Sequence, residues 1–299
     1  MVEIKNVTKK FGDFTAIEDI NLTVEKGSIF GLVGYNGAGK TTLLKSIAGI
    51  YRPEGGEVLV DGRNTFTCPE IRRKMFFLPD EMFFTTHQTI AKAARYYAGY
   101  YPDFSFDTMK KLCEVFSLGK DAKLTSFSKG MLRQAQVIIA MSCMPRVLLL
   151  DEAFDGLDPQ KRSVMNSMII EYAAEKECSV IVSSHYLHEI ADICDHVVLL
   201  NGKKIALNCC VDDIGEDRCK FNLVFDTEKT ADDFSGIEIK RFRGSGKSVT
   251  VSVSGNRDEA ERKLREMNPL LIEAVPLSLE EIFLEEMEGT DYDFSEIFS

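Results

Sequence analysis

Gly34-Tyr35-Asn36-Gly37-Ala38-Gly39-Lys40-Thr41-Thr42 meets the phosphate-loop pattern Gly-x4-Gly-Lys-[Ser/Thr] at every fixed position. The match gains meaning from its flanks. Upstream, Ser28-Ile29-Phe30-Gly31-Leu32-Val33 is an apolar, strand-like run, and downstream Leu43, Leu44, Ile47 and Ala48 recur at helical spacing. The stretch therefore reads strand, loop, helix. In that setting the glycines let successive backbone N–H groups converge on phosphate oxygens, and the helix N-terminus adds partial positive charge. Lys40 would reach the β- and γ-phosphates, and the Thr41 hydroxyl would ligate Mg²⁺. This specifies a nucleotide site and leaves hydrolase, kinase and switch all open.

A chain of 299 residues that is 44% hydrophobic can bury a large core, and its length suggests one large domain with a smaller one. The formal net charge of −11 argues against nucleic acid as a partner and against direct binding to an anionic membrane. The eight cysteines contain no Cys-x-x-Cys pair, which suits reduced thiols in a cytosol. No apolar leader precedes the first strand, and no window approaches a membrane span. Work at a membrane would need another chain to cross it.

Working outward from the loop, Val2 and Ile4, then Ile20, Leu22 and Val24, alternate as half-buried antiparallel strands should, with Phe11-Gly12 between them. Glu57 to Val60 and Met75 to Leu78 are further strands, the latter stopping at Pro79-Asp80. From about 86 to 144 the periodicity turns helical: Met109, Leu112, Cys113 and Phe116 fall on one face, and Ser128 stands where an N-cap belongs. The aromatic cluster Tyr96, Tyr97, Tyr100 and Tyr101 reads as packing or a subunit contact. Strands then return. Val147 to Leu150 is a continuous apolar run ending in Asp151-Glu152, as in a strand buried on both faces of a parallel sheet. Asp158-Pro159 opens a helix, Val180 to Val182 is a strand leading to Ser183-Ser184-His185, and Val197 to Leu207 reads as a hairpin. The fold class is α/β, with an antiparallel β subdomain beside the core and an inserted helical lobe. A polar connector at 208–218 precedes a small α+β domain at 219–287, and 288–299 is an acidic tail. In that domain, Ser278 and Glu281 have the spelling of a capping box. Gly244-Ser245-Gly246-Lys247-Ser248 imitates a second phosphate loop, but Arg241 stands where the first glycine is required, so it reads as a hairpin turn.

Taken in order and spacing, the loop at 34–42, Ser128, Asp151-Glu152, Asp155-Gly156-Leu157-Asp158 and His185 resemble the ATP-binding cassette (ABC) ATPases over residues 1–207. The resemblance implies a P-loop NTPase core, with ATP held by Gly34, Tyr35, Asn36, Gly37, Ala38, Gly39, Lys40, Thr41 and Thr42 and its adenine stacked on Phe11. It implies Asp151 and Thr41 as Mg²⁺ ligands, Glu152 as the general base that orients the attacking water, and His185 at the γ-phosphate. Ser128 and Gly130 would meet the γ-phosphate bound by a second ATPase subunit, identical or not, arranged head to tail. The chain departs from the family in two places. Phe127-Ser128-Lys129-Gly130-Met131 stands for Leu-Ser-Gly-Gly-Gln, followed by Arg133-Gln134 where Gln-Arg is more usual, and Lys129 would add a positive charge there. Asp80 replaces a glutamine that reaches toward Mg²⁺ and the membrane partner. The end Pro276-Leu277-Ser278-Leu279-Glu280-Glu281-Ile282-Phe283 resembles the C-terminal extension of exporter-type subunits.

The resemblance thus implies an ATP-hydrolysing cytoplasmic subunit, peripheral on the inner face of the cell membrane, that drives a transmembrane transporter subunit for export. Two other readings stay beside it. A non-transport ABC ATPase would want a second cassette, a coiled coil or a basic arm; a low-turnover nucleotide-gated regulatory module would be consistent with Asp80 and the altered signature.

Overall fold

Alternating and uninterrupted apolar runs go to different sheets. The structure is a computed structural model, and it describes residues 1–80, 88–185, 187–211, 218–254 and 257–287. Its first half comprises β1 (Val2–Phe11), β2 (Phe14–Val24), β3 (Ile29–Val33), α1 (Lys40–Ile47), β4 (Gly55–Val60), β5 (Arg63–Asn64), α2 (Pro69–Arg72) and β6 (Met75–Leu78). The alternating strands form an antiparallel sheet of order β2-β1-β4-β5. One face of it, with Val2, Ile4, Ile20, Leu22, Val58 and Val60, is buried in a core shared with Leu43, Leu44 and Ile47 of α1.

The helical lobe follows as α3 (Ile90–Ala98), α4 (Phe106–Val115) and α5 (Lys129–Ser142), with α3 and α4 packed on α5. Each has a side-chain N-cap: Thr89, Ser105 and Ser128 accept from Lys92, Thr108 and Met131. Tyr97 and Tyr101 pack on Phe76, whereas Tyr96 and Tyr100 are exposed. Next come β7 (Val147–Asp151), α6 (Pro159–Lys176), β8 (Ser179–Ser184), α7 (Leu187–Ala191), β9 (His196–Asn201) and β10 (Lys204–Cys210). Among the described residues the second sheet has the order β10-β9-β3-β8-β7-β6, and β9, β3, β8, β7 and β6 run parallel. Every residue of β3, β7 and β8 is buried, as expected of a sheet covered on both faces. At the β9–β10 turn, Gly202 and Lys203 both have positive φ, 55° and 76°, which matches the twist of a two-residue hairpin.

The chain divides into two units, Met1–Asn208 and Cys209–Ser299. The connector expected at 208–218 is shorter than its polarity suggested. β10 runs on to Cys210 and the next strand starts at Arg218, because an edge strand tolerates polar residues. Residues 212–217, the start of the helical lobe at 86 and the acidic tail at 288–299 lie outside the described residues. The second unit contains β11 (Arg218–Val224), β12 (Ile239–Ser245), β13 (Ser248–Ser254), α8 (Arg257–Glu266), β14 (Leu271–Pro276) and α9 (Leu279–Met287). Its antiparallel sheet, β12-β13-β11-β14, buries Phe221, Leu223, Val249 and Val251 against Phe234 and Leu264. Gly246 and Lys247 form the β12–β13 turn, so the second phosphate-loop lookalike is a hairpin. Ser278 and Glu281 bond reciprocally as a capping box at the start of α9.

Candidate nucleotide site

The loop leaves β3 at Val33 and enters α1 at Lys40, the turn being closed by an Ala38 N–H to Tyr35 carbonyl bond of 3.0 Å. Gly39 precedes the helix with φ +104°, and a Cβ there would stand 2.5 Å from Ile17 Cγ2. Only glycine fits. No acidic residue occupies the first turn of α1 itself. Lys40 is buried, its Nζ donating to the Gly34 carbonyl at 2.7 Å and lying 3.5 Å from Glu152 Oε1.

The ends of β7 and β8 supply the acidic side of the site. Asp151 pairs in register with Ser183 and is 2% exposed. Its carboxylate accepts from Ser183 Oγ at 2.7 Å and from Thr41 Oγ1 at 2.8 Å, tying the sheet to α1. Glu152 leaves the strand with φ +49°, a left-handed conformation uncommon for a non-glycine residue. Its N–H donates to Ser183 O and Oγ at 3.2 and 3.1 Å, and its carbonyl accepts from Arg133 Nη2 at 3.0 Å. So held, its carboxylate bridges Lys40 and His185, whose Nδ1 is 2.8 Å from Oε2.

A cleft of about 390 Å³ opens over these groups, lined by the loop residues Tyr35, Asn36, Gly37, Gly39, Lys40, Thr41 and Thr42 and by Asp80 and Glu152. Phe11 and Phe14 stand in its wall with exposed rings. Phe11 packs edge-on to Tyr51 at 5.3 Å between centroids. The structure thus brings together Phe11, the 34–42 loop, Asp151, Glu152 and His185. Asp80 reaches the cleft, but its Oδ1 is 3.0 Å from Arg133 Nη2. Ser128 and Gly130 do not line it. They open α5, where a Cβ on Gly130 would meet the Gly156 carbonyl at 3.0 Å.

The extra charge of Lys129 is already engaged, because its Nζ lies 2.6 Å from Asp155 Oδ2. This hydrogen bond holds the Asp155 carboxyl below its ordinary range and raises Lys129. Both side chains are well exposed, so the pair is a weak tether.

Thr41 and Asp151 are hard oxygen donors beside the loop, and no group of three or more His, Cys, Asp or Glu able to hold a metal occurs among the described residues. That set fits Mg²⁺, which takes one or two protein oxygens and completes its shell with water and phosphate. Three residues at the site have no role assigned by the sequence: Arg133, Ser183 and Phe14. Ser183 had a signal, since the run into Ser183-Ser184-His185 ends beside Asp151.

The family model described as ABC transporter matches residues 17–155. The ABC transporter ATP-binding protein YtrB of Bacillus subtilis (strain 168) is 27% identical over 289 residues, 97% of this chain and 99% of that protein. The Nod factor export ATP-binding protein I of Burkholderia lata is 32% identical over 213 residues, 69% of each chain. Relatives named for import match a similar share of this chain. A solved structure titled as the ATP binding subunit of an ABC transporter superposes with a TM-score of 0.64 at 26% identity, covering 72% of this chain and 91% of that one. A phosphate loop joined to the Asp151-Glu152 corner, on a chain 32% identical to a named member, places the protein: it belongs to the ABC transporter family, as an ATP-binding subunit of ATPase type.

Proposed function

We propose that the chain hydrolyses ATP in the cleft above Lys40 and Glu152 and drives a separate transmembrane transporter subunit. The observation that carries this reading is the Glu152 carboxylate, 3.5 Å from Lys40 and 2.8 Å from His185 at the mouth of the phosphate loop. Phosphoryl transfer needs positioning and charge stabilisation more than covalent chemistry from the protein. The loop N–H groups and the start of α1 hold the β- and γ-phosphates, and Lys40 balances the charge of the transferring group. Glu152 orients water in line with the γ-phosphate and takes its proton, while His185 fixes the carboxylate's direction and faces the same phosphate. Phe11, with Phe14 beside it, offers the adenine a ring to stack on. Thr41 and Asp151 would hold Mg²⁺, with Asp80 a further acceptor beside them, and the ion would supply charge neutralisation on the phosphates.

Ser128 and Gly130 lie outside the cleft, which supports a composite site in which a second ATPase subunit presents its own Ser128 and Gly130 to the nucleotide. No helix among the described residues is long and apolar enough to cross a membrane. Membership of the family supports a membrane partner and a place on the inner face of the cell membrane. Export is supported by the exporter-like spelling at 276–283 and by the relative named for Nod factor export. A low-turnover regulatory module is the second reading, favoured by the Lys129–Asp155 and Asp80–Arg133 pairs at the altered positions.

Phosphate release by the purified chain, alone and with its co-purified membrane partner, separates the two. Glu152→Gln should lower turnover at least about 100-fold, the usual scale for a lost general base, with ATP still bound. Wild-type release of phosphate by Glu152→Gln would remove the assignment. No Mg²⁺-dependent release by the wild type in either setting would favour the regulatory module.

A further inference from the structure

Arg133 lies five residues beyond Ser128 on α5, and its side chain is 4% exposed. Nη1 donates to the Pro79 carbonyl at 3.2 Å and to Gln136 Oε1 at 3.1 Å. Nη2 donates to Asp80 Oδ1 and to the Glu152 carbonyl, both at 3.0 Å. One side chain thus joins the end of β6, the residue after β7 and the helix that begins with Ser128 and Gly130. The two departures from the family pattern, Asp80 and Arg133-Gln134, are a single feature in space, an acid matched by a base.

We propose that Arg133 is a positioning residue for hydrolysis, holding the Glu152 backbone so that its carboxylate faces the phosphate loop. A non-glycine residue keeps a left-handed conformation only where its surroundings over-determine it. At Glu152 both flanking peptide groups are pinned, the N–H by Ser183 and the carbonyl by Arg133. Loss of the second pin lets the peptide after Glu152 rotate and the carboxylate swing away from Lys40. Because Arg133 rides on α5, a shift of that helix when Ser128 and Gly130 engage a nucleotide reaches Glu152 in the same subunit. Asp80 is 56% exposed, so its pairing adds little stability. Its part is to orient the guanidinium plane toward the Glu152 carbonyl. A lysine keeps the charge but lacks the fork that serves Pro79, Asp80 and Glu152 together.

The inference rests on the reading of Glu152 as general base, and the test keeps the two apart. Arg133→Lys, Arg133→Gln and Glu152→Gln are made in the full chain and assayed alone and with the membrane partner. The readouts are kcat, KM, affinity for a fluorescent ATP analogue, and melting temperature. Arg133→Lys, which retains a buried cation for Asp80, is the variant that decides if Arg133→Gln fails to fold. It should lower kcat about tenfold, with KM and nucleotide affinity within about twofold, because the lost bond acts on the base and not on binding. On the Glu152→Gln background it should add nothing to the loss. Wild-type kcat in Arg133→Lys, a matching loss of nucleotide affinity, or multiplication of its effect with Glu152→Gln would each overturn the proposal. Wild-type turnover in Glu152→Gln would overturn the base assignment and the positioning role with it. An inactive Glu152→Gln beside a fully active Arg133→Lys would overturn the positioning role alone.

Discussion

Ser183→Ala tests the corner on which the acidic half of the site is built. Ser183 is completely buried on β8, and its Oγ donates to Asp151 Oδ1 at 2.7 Å while accepting from the Glu152 N–H at 3.1 Å. The donated bond ends on a carboxylate and is worth about 1.5–3 kcal/mol. The accepted bond is shared with the Ser183 carbonyl, 3.2 Å away, so its loss adds little. Alanine should therefore cost about 2–3 kcal/mol, with Thr41 left as the side-chain donor to Asp151. For a unit of this size that lowers Tm by roughly 4–12 °C. Ser142→Ala is the matched control. Ser142 is equally buried, but its hydroxyl donates at 2.6 Å to the neutral Ile138 carbonyl inside α5. That bond is worth about 1 kcal/mol, and the better helix propensity of alanine offsets about half of it. Urea titration of both variants gives the comparison directly. Equal losses for the two would refute the argument that Ser183 holds a buried carboxylate in place.

Three further outcomes follow from other parts of the fold. Gly39→Ala should abolish binding of the fluorescent ATP analogue and lower the melting temperature, because its Cβ would fall 2.5 Å from Ile17 Cγ2 and 2.9 Å from the Ala16 carbonyl; unchanged nucleotide affinity would count against the loop as the phosphate cradle. Burial pushes Cys178 and Tyr97 up to about 12 and moves Cys143, Cys194, Tyr101 and Tyr172 in the same direction. A folded pKa above the unfolded one contributes stability that is complete below the unfolded value and lost as pH rises toward the folded value. Tm should thus fall steadily above about pH 8.5, where unfolded thiols begin to ionise. Alkylation of the native protein at pH 9, read by mass spectrometry, should spare Cys143, Cys178 and Cys194, and labelling as fast as in the unfolded chain would contradict their burial.

Local patterning carried most of the fold into view, and its reach explains what stayed hidden. The phosphate loop, the Val147–Asp151 strand and the caps at Ser128, Asp158 and Ser278 are each written within a few consecutive residues, and each forms as spelled. The false loop at 244–248 was legible for the same reason, since its flanks alternate as strands. Arg133 and Ser183 act across the fold. Arg133 reaches Asp80 over 53 positions and Glu152 over 19, and Ser183 reaches Asp151 over 32. No periodicity links such pairs; only the parallel register of β7 and β8 and the packing of α5 bring them together. The first turn of α5 shows the same limit from the other side, because Lys129 reads as a charge for a shared phosphate and in the fold pairs with Asp155. The consequence reaches the chemistry. Glu152 is named as the base through its match to the family motif, and the proposed role needs a backbone that holds the left-handed turn at φ +49°. The residues that bond the two peptide groups of that turn come from β8 and α5, so the proposed role of Glu152 depends on the assembled sheet and helix and not on the Asp151-Glu152 pair alone.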